Sequence, residues 1–152
     1  MTCIAWDGRT LAVDSQASCD GRKKIVVKLL LPVQGGLAIA WCGDHEQGLA
    51  LAQWYLDGAK PEVYPAFQTK DAYTELVVAF DGRRCVHYEV LPIAQEVTEP
   101  FAAWGSGASI AIGAMAVGAS ARSAVAAACR FNIWCGEPVR STDWDTSAIS
   151  SV

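Results

Sequence analysis

The 152-residue sequence has few charged residues and no long run of charge of one sign. Charged residues make up 18% of it and hydrophobic residues 52%, the opposite of the composition that keeps chains disordered. The longest basic run is Arg22-Lys23-Lys24, whereas nucleic acids and anionic membranes attract larger clusters of Lys and Arg. We therefore expect a folded globular protein with neither nucleic acid nor a membrane as partner.

The sequence also lacks a signal-peptide-like apolar segment at its start, where Asp7 and Arg9 stand instead. Its cysteines show no CxxC spacing and its histidines no HxxxH spacing, which are patterns typical of zinc sites. We therefore expect reduced thiols, a cytoplasmic protein, and no metal or other cofactor.

One uncharged span, Phe101 to Ala121, is long enough to cross a bilayer. It consists mostly of Ala, Gly and Ser and is followed directly by Arg122. A tightly packed helix of a soluble protein is therefore expected there rather than a membrane span.

The chain length is typical of one compact domain. Apolar runs and turn residues predict strands within 2–13, 25–31, 37–42, 72–80 and 85–91 and near 104, and helices over 44–57, 106–118 and 120–131. Asp44 is placed to cap the first helix, whose apolar stripe would be Leu49, Ala52 and Leu56. We predict an α+β layered domain over 1–139 and a polar tail over 140–152 that is free to fray.

Thr2 is the first candidate for chemistry, because a small residue after Met1 generally permits removal of the initiator methionine. Thr2 would then carry a free α-amine, a group with a pKa of about 8, which can take the proton of its own hydroxyl. Cys3 is the alternative nucleophile, but in a strand it points to the opposite face from Thr2, so we expect it to be buried.

Asp14 and two lysines could support such a nucleophile. Asp14 closes an apolar strand, Lys24 stands at the mouth of the next one and Lys28 within it. Either lysine could be a strand-end cation that reaches water, or it could lie beside Thr2 and lower the pKa of its hydroxyl, with Asp14 holding the ammonium group. Spacing alone does not choose between the lysines.

Five segments in this order resemble the proteasome β-type subunits of the N-terminal nucleophile hydrolases, and within them short bacterial and phage-associated members. The segments are Thr2 to Ala5 with Leu11 to Ser15, Gly21 to Ile25, Ala38 to Asp44, Gly105 to Gly107, and Asn132 to Gly136. The resemblance extends to about Val139. It implies a four-layer αββα fold, a threonine nucleophile at the mature N-terminus and assembly into stacked rings that enclose a chamber.

The resemblance also implies roles for individual residues. Thr2 matches the nucleophile, and Asp14 with Lys24 matches its supporting pair, because the basic-basic-aliphatic pattern favours Lys24. Ala40 matches the residue whose backbone N–H stabilises the oxyanion, and Ser106 the serine that orients the terminal amine, a role compatible with capping a helix.

The sequence departs from the family at Asn132 and Cys135, where an aspartate and a serine usually anchor the amine. We expect a cytoplasmic threonine peptidase or amidase acting on peptides or unfolded segments within a homo-oligomeric ring. The alternative is a ring-forming scaffold or binding subunit without turnover. An ATP-driven unfolding partner would be a separate chain.

Overall fold

The computed structural model describes residues 1–32, 36–81, 83–142 and 144. Most of the predicted tail, residues 143 and 145–152, lies outside the described residues. The strands are β1 (Ile4–Trp6), β2 (Leu11–Val13), β3 (Gln16–Cys19), β4 (Arg22–Ile25), β5 (Leu29–Leu30), β6 (Leu37–Cys42), β7 (Glu75–Phe80), β8 (Arg84–Tyr88), β9 (Gln95–Glu96), β10 (Ala102–Trp104) and β11 (Arg140–Ser141). The helices are α1 (His45–Leu56), α2 (Ala108–Ala116) and α3 (Ala121–Phe131), with one 3-10 turn at Pro61–Val63.

The elements form four layers. One antiparallel sheet has the order β10-β1-β2-β11 and faces a second, of order β5-β6-β7-β8-β9. Helices α2 and α3 cover the outer side of the first sheet, and α1 covers the outer side of the second. The four-layer αββα fold predicted from the resemblance is confirmed.

Strict alternation of side chains sorts the core into its layers. In β1, Ile4 and Trp6 face the second sheet, while Cys3 and Ala5 face α2 and α3. Strand β6 is buried on both faces, since Ala40 belongs to the cluster between the sheets and its neighbours pack under α1. This is why β6 is a continuous apolar run in the sequence.

Helix α1 begins where its cap was predicted, because the Asp44 side chain accepts a hydrogen bond from the Gln47 N–H. Its predicted apolar stripe is wrong at two of three positions, since Leu49 and Leu56 are each 44% exposed while Ala52 is buried as expected. The buried residues are Gly48, Leu51, Ala52 and Trp54. The helix is rotated because the Trp41 ring fills the space beneath it, where only a residue without a side chain fits.

The predicted strand over 25–31 is interrupted. Strand β4 ends at Ile25 and pairs only with β3, as a hairpin whose second strand is fully exposed. The chain then crosses to the second sheet, where β5 begins at Leu29. Lys28 therefore lies at a crossover between two sheets and not within a strand.

The folded domain continues past the predicted boundary at 139. Arg140 and Ser141 pair with β2, and Thr142 exchanges two hydrogen bonds with the Leu11 backbone. The described beginning of the expected tail is therefore an edge strand.

The uncharged span 101–121 contains β10 and the nine-residue α2. Of the helices in the described part of the chain, none is long and apolar enough to cross a membrane.

Candidate active site

Thr2 is fixed through its backbone by the segment that precedes α2. The Thr2 N–H donates to Ser106 Oγ at 3.1 Å, and the Thr2 carbonyl accepts from the Gly107 N–H, also at 3.1 Å. Gly105 has a φ of +93°, and a Cβ at this position would overlap the Thr2 carbonyl. A glycine at position 105, next to Ser106, is thus required for this close approach of the two backbones.

Lys28 lies beside the Thr2 hydroxyl. Its Nζ is 3.0 Å from Thr2 Oγ1, 2.7 Å from Asp14 Oδ1 and 2.7 Å from the Gln16 carbonyl oxygen. An ammonium group has three N–H donors, and these contacts use all three. The buried lysine is therefore a fully satisfied cation whose charge reaches the Thr2 oxygen.

Asp14 is fully buried and holds Lys28 in place. One carboxylate oxygen also accepts from the Cys3 N–H, and the other accepts from the N–H groups of Gln16 and Gly136. With four donors around them, both oxygens of the buried carboxylate have hydrogen-bond partners.

Two sequence predictions for this site require correction. Lys24 lies in the exposed strand β4, opposite Ala17, and lines the cavity without a hydrogen bond to Thr2; Lys28 occupies the predicted place beside the hydroxyl. Ala40 is buried in the middle of β6, paired with Leu29 and Val77, and does not line the cavity that contains Thr2.

The cavity beside Thr2 has a volume of about 610 Å³. One wall is the turn from β6 into α1, formed by Gly43, Asp44 and His45. The Asp44 N–H donates to Thr74 Oγ1 at 3.3 Å, and Gly43, with a φ of +107°, packs directly against Thr74. This part of the cavity wall is therefore held by the residue that directly precedes β7.

The fold matches solved structures over nearly the whole chain. Thiobacillus denitrificans BPH in complex with epoxomicin aligns with a TM-score of 0.67 and 23% identity, covering 93% of this chain and 96% of that one. Eukaryotic HslV from Trypanosoma brucei aligns with a TM-score of 0.67 and 16% identity, covering 93% and 97%. The chain has the fold of the proteasome β-type subunits.

A Gly-1 mutant of Anbu from Hyphomicrobium sp. strain MC1 has this fold too, with a TM-score of 0.69, 13% identity and coverage of 93% of this chain and 80% of that one. No family model and no curated protein sequence matches the chain. The similarity is thus one of fold, and the resemblance noted in the sequence is confirmed at that level.

Within this proteasome-type fold, Asn132 and Cys135 both lie close to Ser106, but they contact different atoms of it. Asn132 Nδ2 donates to the Ser106 carbonyl at 3.0 Å, and its Oδ1 accepts from the Trp134 N–H at 2.8 Å. The Cys135 thiol lies 3.9 Å from Ser106 Oγ. Burial, and to a smaller extent Asp14, raises the pKa of Cys135, so the thiol stays protonated.

Ser106 contacts Thr2 in the predicted manner, while the residue that caps α2 is Gly107, without a side-chain bond. Cys3 is fully buried against α3, and burial raises the pKa of its thiol well above the usual range. A protonated, inaccessible thiol is a poor nucleophile, which argues against Cys3 as the reactive group.

Met1 is attached to Thr2 in this chain, and its carbonyl accepts a hydrogen bond of 2.6 Å from Thr2 Oγ1. The Thr2 nitrogen is therefore an amide here. In the described residues no group of three or more His, Cys, Asp or Glu side chains is arranged to hold a metal ion.

Sequence reasoning missed Gln16 and Gly43. The Gln16 carbonyl accepts from Lys28 through the main chain, so no side-chain pattern could have revealed it. Gly43 carried a usable signal, since a glycine between the last strand residue and the helix cap indicates a turn of positive φ.

Proposed function

We propose that the chain is a threonine-type peptidase or amidase subunit that acts through Thr2 once Met1 has been removed. The observation that carries this proposal is the Lys28 ammonium, 3.0 Å from Thr2 Oγ1 and 2.7 Å from Asp14, in a buried site at the edge of an open cavity. A buried cation directed at a hydroxyl oxygen favours the ionised form of that hydroxyl.

The first step is attack by Thr2 Oγ1 on the carbonyl carbon of a peptide or amide. The α-amine that Met1 removal exposes is the base that takes the hydroxyl proton, directly or through a water molecule. Ser106 Oγ, 3.1 Å from that nitrogen, orients the amine. Lys28 stabilises the negative charge that develops on the attacking oxygen.

The tetrahedral oxyanion would be stabilised by the backbone N–H of Gly43, on the wall of the cavity. Its collapse breaks the C–N bond, and the leaving amine takes the proton held by the Thr2 α-amine. The resulting ester on Thr2 is hydrolysed by water with the same amine as base, which regenerates the free hydroxyl.

The direct test is hydrolysis of fluorogenic peptides by the wild type, by Thr2→Ala and by Thr2→Ser, with intact masses recorded to show whether Met1 is present. The wild type without Met1 and Thr2→Ser should turn over substrate, and Thr2→Ala should not. Epoxomicin, which is bound in the BPH structure, should raise the melting temperature of the wild type but not of Thr2→Ala. Equal turnover by Thr2→Ala would exclude Thr2 as nucleophile.

We also propose a homo-oligomeric ring, in a reducing compartment such as the cytoplasm, that encloses the site and admits peptides or unfolded segments. All six cysteines are free thiols, in keeping with that compartment. Exposed apolar side chains are numerous for one domain and include Leu91, Ile93, Phe131, Ile133 and Trp134. Light scattering at micromolar concentration should give a mass many times 16.2 kDa, and a clean monomer would contradict the ring.

One observation favours the alternative of a ring subunit without turnover. The Asn132 side chain is occupied by the Ser106 carbonyl and the Trp134 N–H, so it does not support the amine as an aspartate would. If the native protein retains Met1, the Thr2 nitrogen stays an amide and cannot act as base. Retention of Met1 together with inert behaviour towards peptides and epoxomicin would establish the scaffold role.

A further inference from the structure

The cavity beside Thr2 is lined by two exposed charged side chains, Lys24 and Glu46, and by other polar side chains that mostly have partners already. Lys28 has three partners, Asp44 caps α1, and the Gln16 amide donates to Ser18 Oγ and the Ile133 carbonyl. His45, the first residue of α1, lines the same cavity and is half-buried.

The Trp41 ring orients the imidazole of His45 by donating to one of its two nitrogens. Trp41 Nε1 lies 3.3 Å from His45 Nδ1, and the two rings are 5.9 Å apart at a tilt of 40°. An indole nitrogen only donates, so Nδ1 must accept and carry no proton. In the neutral ring the proton is therefore on Nε2, which has no hydrogen-bond partner among the described residues.

Trp41 is held rigidly in turn. It is fully buried between the second sheet and α1, and Gly48 of α1 packs so closely on its ring that even a Cβ there would overlap the indole. The donor that sets the state of His45 therefore has one position, and the imidazole is preorganised before any substrate arrives.

We propose that His45 is a specificity-determining residue that favours acyl groups whose side chain carries a hydrogen-bond-accepting oxygen, such as glutamine before the scissile bond. This inference rests on the proposed function, because the cavity must receive the acyl side of a substrate of Thr2. A site that offers one fixed N–H donor leaves it unpaired when an apolar side chain of the same length binds.

The test compares kcat/KM for two peptidyl-coumarin substrates that differ only in glutamine or methionine before the coumarin amide. The glutamine-to-methionine ratio should be high for the wild type, fall on the order of tenfold in His45→Leu, and be largely rescued in His45→Gln, which can again donate. Leu49→Ala, on the exposed side of the same helix, is the matched control and should keep the wild-type ratio.

Trp41→Phe provides a second measurement that leaves the imidazole in place but removes its partner, and it should lower the ratio in the same direction. An unchanged ratio in His45→Leu and Trp41→Phe, with turnover retained, would overturn the role of His45 and leave the peptidase proposal intact. Absence of Thr2-dependent hydrolysis of both peptides in the wild type without Met1 would overturn the two proposals together.

Discussion

Replacing Lys28 by methionine keeps an unbranched side chain, shorter by one atom, and removes the charge beside the Thr2 hydroxyl. Two unit charges 3.0 Å apart at an effective dielectric constant of about 20 interact by about 5 kcal/mol, which is the upper limit of what Lys28 gives a fully formed alkoxide. The transition state carries part of this charge and water would enter the site, so we expect about half to be lost, or roughly a hundredfold in kcat.

The same substitution leaves Asp14 as a buried carboxylate without its cation. Removing one partner of a buried ion pair typically costs about 3–5 kcal/mol of stability, so the midpoint of urea unfolding should fall clearly. The double variant Asp14→Asn/Lys28→Met removes both charges, but the asparagine NH2 cannot accept from every backbone N–H around residue 14, so it should regain only part of the stability and no turnover.

Lys24→Met tests the other candidate lysine, which lies on the exposed hairpin strand and lines the cavity but has no hydrogen bond to Thr2. The assay is peptide hydrolysis by enzyme that lacks Met1, with urea unfolding of the same samples. Turnover lost in Lys24→Met and retained in Lys28→Met would refute the assignment of the supporting lysine.

Two further predictions concern stability and placement. Burial, with Glu89 close by, raises the pKa of Glu75 from 4.5 to about 7. The stability contributed by this group is therefore present below pH 4.5 and lost as the pH rises through 7. Glu75→Gln should raise the unfolding free energy by about 1 kcal/mol at pH 8 and change it little at pH 4. Equal changes at both pH values in urea titrations would contradict this. Gly105→Ala should displace Thr2, abolish peptide hydrolysis and lower stability by about 1–3 kcal/mol. Gly113→Ala, with open space around its Cβ, should have none of these effects. An active Gly105→Ala would argue that this glycine is not needed to hold Thr2 in place.

The layered fold could be predicted because its signals are local. Asp44 caps α1 as expected, and the apolar alternation placed the main strands within a few residues. Strand β11 was missed because edge strands need backbone pairing but no apolar side chains, and the polar pair Arg140–Ser141 carries no such pattern.

The supporting lysine could not be chosen from spacing, because the outcome depends on a change of sheet. Lys24 and Lys28 flank the point where the chain leaves the hairpin and joins the second sheet. Alternation gives the direction of a side chain only within a continuous strand, so it does not give the direction of Lys28 at a crossover between two sheets. The contact between Lys28 and Asp14 is set by tertiary structure and has no local signal. The contact of Thr2 with Ser106 could be predicted because Ser106 lies in a short continuous motif, Gly105 to Gly107.

The oxyanion residue was misplaced for a related reason. The predicted residue, Ala40, lies in the interior of β6, where it is paired with a strand on each side. Backbone groups inside a sheet are used by neighbouring strands, so a free N–H is expected beyond the last paired residue. In this chain that position is Gly43.

The clamp on Thr2 acts on the main chain alone, since its nitrogen is held by Ser106 and its carbonyl by Gly107. Where residue 2 sits is therefore independent of which side chain it carries. The same scaffold could present a serine or a cysteine at that point without rebuilding its surroundings. The position of residue 2 and the chemical identity of its side chain are thus set separately, so a single substitution changes the side chain offered to the cavity without moving it.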